Sequence, residues 1–133
     1  NGTPFPIDDR CGIPEMIFKG TLEHFSEDKL ARFRRRMCGS SGQTEEFLSH
    51  TPTRTAEELR EELAALALGI TAYGSSSFIW DRAIIGNRDK IFPPRNQHEA
   101  WQGTEIMETE AEHYETSLFS RLLEGKGEEW TRH

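Results

Sequence analysis

No apolar run in these 133 residues approaches the roughly 18 needed to cross a bilayer, which excludes a membrane-spanning helix. Cysteine is scarce. Cys11 and Cys38 are too few for a disulfide scaffold or a four-cysteine zinc site. The common catalytic fingerprints are also missing: there is no Gly-x-Ser-x-Gly elbow, Walker loop, dinucleotide-binding glycine pattern or His-Glu-x-x-His. Gly74-Ser75-Ser76-Ser77 lacks the lysine of a phosphate loop. No internal repeat is visible. Hydrophobic residues make up only 35%, and the mean hydropathy of -0.70 is wetter than most compact domains. Eight Phe, three Trp and regular Leu stripes still have to be buried, so the chain is not disordered throughout.

What is present is charge, laid down in blocks. Residues 16–38 carry six basic and three acidic groups, 39–70 two and six, 71–98 four and two, and 99–133 three and nine. The total of -7 argues against nucleic acid as a partner, and the alternation suggests basic and acidic faces that meet within one fold or between chains. The chain begins Asn1-Gly2-Thr3, without methionine or a hydrophobic leader, as either a processed form or a fragment would. The same tripeptide is a glycosylation sequon, which matters only in a secreted protein. Two thiols are read as reduced, which favours an intracellular over a secreted protein.

Pro4, Pro6 and Pro14, interleaved with Gly2, Gly12 and Gly20, predict an extended arm over residues 1–20. A helical domain follows over 21–125 and a polar tail over 126–133. Ser26 with Glu27 and Asp28 predicts a helix start, and Gly39 its end near Cys38. Glu45–His50 is at most a short helical turn before Pro52. Thr55 and Glu58 form a capping box ahead of Leu59, Leu63, Leu66 and Ile70, which predicts a helix with one buried face. Residues 78–92 read as a helix, with a short β-hairpin turning at Gly86-Asn87 as the alternative. Met107, Ala111, Tyr114, Leu118 and Leu122 predict a long helix from Thr104 to Gly125. The fold expected is therefore mainly α: three to four helices in one small domain.

Two constellations have chemical potential. Lys29, Arg32, Arg35 and Arg36 gather on one helical side, where guanidinium forks can pair with carboxylates or phosphates. Glu110 and His113 have the Glu-x-x-His spacing that puts two metal ligands on one helix face. A nucleophilic Cys11 or Cys38 paired with a distant histidine is also open, because such groups assemble in space. No catalytic residue can be named from the sequence. The primary reading is a helical protein-interaction module or subunit of a larger assembly, binding a protein partner or a second copy through Arg32, Arg35, Arg36, Trp101 and Trp130. The alternative is an enzyme or enzyme subunit with a histidine–carboxylate site, with or without a metal. A third is a polyanion-binding module using the arginine face.

Overall fold

The computed structural model describes residues 2–51, 53–73 and 78–125. It is mainly α with some strand: the described residues form six helices and a two-stranded sheet. The order is α1 (Glu15–Glu23), α2 (Glu27–Cys38), α3 (Ser41–Ser49), α4 (Ala56–Tyr73), β1 (Arg82–Gly86), α5 (Pro94–Ala100), β2 (Glu105–Thr109) and α6 (Thr116–Glu124). No described helix is long and apolar enough to cross a membrane.

Three to four helices undercounts. One reason is the stretch read as extended arm, where Pro14 stands just ahead of Glu15 with φ -54°. A proline there starts a helix instead of denying one, since its missing N–H falls among donors that have no helical partner. Another is the Gly39–Gly42 linker, which divides into two caps. Gly39 closes α2 at φ 72°, and Ser40 Oγ opens α3 by accepting from Gln43 N–H at 3.2 Å. Elsewhere the local signals are satisfied as read. Ser26 Oγ accepts from Lys29 N–H, and the Thr55–Glu58 box is reciprocal, at 2.8 and 3.2 Å. The backbone bond from Thr55 holds the Glu58 carboxyl below the usual range.

The larger correction concerns the sheet. Residues 78–92 form neither a helix nor a hairpin: β1 pairs in parallel with β2, Ile84 opposite Met107. Parallel neighbours need a crossover, and α5 supplies it. The helix expected from Thr104 breaks accordingly into β2, a loop at 110–115 and α6. The two-residue burial rhythm of β1 marks it as strand, with Ala83 and Ile85 inside. Pairing continues past the carboxyl end of β1, through Asn87 N–H to Thr109 O (2.8 Å) and Arg88 N–H to Ala111 O (3.1 Å). The Leu59–Leu63–Leu66 stripe is not closed core either. Leu59 and Leu63 are half-buried and Leu66 is exposed, because this face of α4 lines a cavity.

Candidate active site

Both strands end at the same edge of the sheet, and the loops leaving their carboxyl ends meet there. Ligand sites of parallel sheets gather at such an edge. Asp89 stands three residues beyond β1 and is 4% exposed. Its Oδ1 accepts the backbone N–H groups of Ile91 (2.8 Å) and Phe92 (2.9 Å), so the loop folds around its own carboxylate. Its Oδ2 faces His113 Nδ1 at 3.0 Å and accepts from Gln97 Nε2 at 3.3 Å. His113 follows β2 by four residues, and its ring stacks on Phe92 at 6.0 Å between centroids and 11° between planes.

This arrangement has a definite chemical sense. A carboxylate only accepts hydrogen bonds, so Nδ1 carries the imidazole proton in the Asp89 contact. A pair so arranged can move protons through Nε2, with the carboxylate steadying the imidazolium formed.

The end of α2 grips both loops. Arg36 Nη2 donates to Lys90 O at 2.8 Å, and Tyr114 N–H donates to Met37 O at 2.9 Å. Gly39 lies so close to Glu112 that a Cβ there would stand 2.4 Å from its carboxyl carbon. Lys90 Nζ is 4.0 Å from the Glu112 carboxylate. Ile91 of the Asp89 loop also reaches a cavity of about 340 Å³, walled by Phe18 of α1, Phe33 of α2, and Leu59 and Leu63 of α4. Arg36 and Arg54 also line it. One short loop therefore supplies the carboxylate, a cavity wall and the ring under the histidine.

The residues singled out from sequence are dispersed. Glu110 and His113 share no helix: Glu110 pairs with Arg88 Nε at 3.2 Å, while His113 turns to Asp89. No group of three metal-binding side chains is found among the described residues. Arg32 and Arg35 are exposed on α2, whereas Arg36 is engaged with the Asp89 loop. Trp101 is half-buried, donating from its indole to Gly2 O at 3.0 Å. Trp130 lies outside the described residues. Burial pushes the Cys38 thiol up, and the side chain has no exposed surface, both opposite to what a reactive thiolate requires. Sequence reasoning missed Asp89 and Gln97. The available signal was a short β-branched run closed by Gly86-Asn87-Arg88-Asp89, a carboxylate placed just past a strand.

Residues 1–124 match the family described as Pimeloyl-ACP methyl esterase BioG. The chain belongs to the BioG family. It is 40% identical to BioG from Haemophilus influenzae, whose crystal structure superimposes with a TM-score of 0.80 over 88% of this chain and 55% of that one. It is 48% identical over 125 residues to a malonyl-[acyl-carrier protein] O-methyltransferase of Bacteroides fragilis, spanning 92% of this chain but 26% of that protein. An uncharacterized Haemophilus influenzae protein is 42% identical over 122 residues, which is 90% of this chain and 56% of the relative. The chain thus spans about half or less of the relatives it matches. BioG membership overturns the reading of a helical protein-interaction module or subunit of a larger assembly, because the family is described by an enzymatic activity. The histidine–carboxylate enzyme, held above as the alternative, is the reading BioG membership favours.

Proposed function

We propose that this chain supplies the general base, and the carboxylate that orients it, for hydrolysis of a methyl ester on an acyl group carried by an acyl-carrier protein. The observation that carries the reading is the Asp89–His113 pair, 3.0 Å apart on adjacent loops at the carboxyl edge of a parallel sheet. The ring takes the proton of the attacking oxygen and delivers it to the departing methoxide, so ester and water become acid and methanol. The apolar cavity beside Ile91 suits the methylene chain of a dicarboxylic acyl group such as pimeloyl. Methyl transfer, named for the Bacteroides relative, runs in the opposite sense, and this chain spans only 26% of that protein.

A substrate held on a protein needs somewhere for its carrier to dock. The exposed Arg32 and Arg35 offer a basic surface on the helix that walls the cavity. Arg36 is left out of the test because its bond to Lys90 O belongs to the site.

The test is an assay of the protein with carrier-bound pimeloyl methyl ester, following methanol release. Hydrolysis is expected, and His113→Gln should abolish it. Reversing Arg32 and Arg35 to Glu should raise KM for the carrier-bound ester about tenfold, the sum of two exposed charge contacts, without changing hydrolysis of a carrier-free methyl ester. Methylation of the free acid with no ester cleavage would sink the proposal. A double reversal that leaves KM untouched would remove the arginines from it.

A further inference from the structure

We infer that Gln97 is a positioning residue for the Asp89–His113 pair, fixing the plane of the carboxylate that holds the imidazole; the inference rests on the esterase reading above. Gln97 lies on α5, the crossover between the two strands, and has no exposed surface. One N–H of its amide meets Asp89 Oδ2 at 3.3 Å, and the other meets Phe92 O at 2.8 Å. Its Oε1 accepts Gly2 N–H at 3.4 Å. This set fixes the amide's orientation. Turned over, it would aim an oxygen at a carboxylate and a carbonyl and lose both bonds.

Consider what Asp89 then has. A carboxylate offers about four acceptor sites. Two are filled by backbone N–H groups at Oδ1, one by His113 and one by Gln97 at Oδ2. The backbone contacts anchor one oxygen only. Without Gln97, the other oxygen is held by His113 alone, the group whose direction it has to set. Gln97 supplies that reference from outside, and through Phe92 O it also holds the residue whose ring underlies His113.

The neighbouring Asn96 provides an internal control. It is also buried, at 8%, and its amide likewise uses both N–H groups, on Asp9 O (3.0 Å) and Gly12 O (2.8 Å). Neither bond touches Asp89 or His113. Losing either amide should weaken the attachment of α5, but only Gln97 should alter the chemistry.

The experiment compares Gln97→Met, which keeps length and volume, with Asn96→Leu in the full protein. Gln97→Met should lower kcat for methyl ester hydrolysis about 100-fold at unchanged KM, the scale expected when a reacting group is misplaced by about 1 Å. The downfield NMR resonance of the His113 Nδ1 proton should weaken with it. Asn96→Leu should lower the melting temperature and leave kcat within about threefold. In the unsubstituted protein, the Gln97 amide protons should show a nuclear Overhauser contact to the His113 Nδ1 proton, a readout that stands even if Gln97→Met fails to fold. Retention of kcat by Gln97→Met, an equal loss of kcat in Asn96→Leu, or absence of that Overhauser contact would each overturn the inference. Full activity in Asp89→Asn and His113→Gln would instead remove the esterase reading beneath it. Inactive Asp89 and His113 variants beside an active Gln97→Met would remove this inference alone.

Discussion

Asp89→Asn should lower kcat for ester hydrolysis about 10⁴-fold, the loss seen when an aspartate that orients a catalytic histidine becomes an amide. The surroundings of Asp89 explain why so small a change weighs so much. Ile91 and Phe92 both donate to Oδ1, so an asparagine must keep its oxygen there. Its NH₂ group is then driven into the Oδ2 position, facing Gln97 Nε2, a donor, and His113 Nδ1. The imidazole can accept that N–H only in its other tautomer, with the proton on Nε2, where a base needs a lone pair. The fold should survive, since the backbone contacts at Oδ1 persist. Initial rates with a methyl ester, read alongside the melting curve by circular dichroism, test this. A folded variant retaining more than a tenth of its activity would show that Asp89 does not set the tautomer.

Ile85→Ala should have the largest effect on stability, about 2–5 kcal/mol, the range for emptying a fully buried aliphatic site. Ile85 has no exposed surface and sits near the end of β1, four residues before Asp89. Truncation there leaves a void that a paired strand cannot collapse to fill without breaking its register with β2. Urea denaturation should show an earlier midpoint, while protein that remains folded keeps most of its kcat. A change under about 0.5 kcal/mol, typical of surface positions, would mean that the β1 face is not core.

These two positions mark the boundary of what the sequence made legible. α2 and α4 could be read because their signals are local. Ser26, Gly39, Thr55 and Glu58 act within one turn of the backbone they cap. The parallel pairing of β1 with β2 could not be, because it joins residues 23 apart, and propensity yields to such non-local contacts. Met107, Ala111, Tyr114 and Leu118 imitate a helical stripe across what is in fact a strand, a loop and a helix start. The site followed the same division. His113 stood out, but its spacing pointed to Glu110 only on the assumption of a helix. The structure instead gives it Asp89, 24 residues earlier, through a meeting of two loops that no local spacing encodes. The absence of familiar catalytic fingerprints does not by itself argue for an interaction role. The histidine and carboxylate of such a site carry no fingerprint of their own, and this chain spans only 55% of the BioG chain it resembles.

The 12 residues of α2 rise about 18 Å as one stiff rod. Its middle puts Phe33 into the cavity, and its last turn holds Tyr114 through the Met37 carbonyl and the Asp89 loop through Arg36. Phe33 and Met37 are four residues apart, stacked on one face of that rod. The cavity wall at Phe33 and the mount that holds the two loops are therefore one rigid part. Anything that tilts the first transmits the tilt to the second, so on the proposed esterase reading an acyl chain that fits badly would be penalised in turnover as well as in binding.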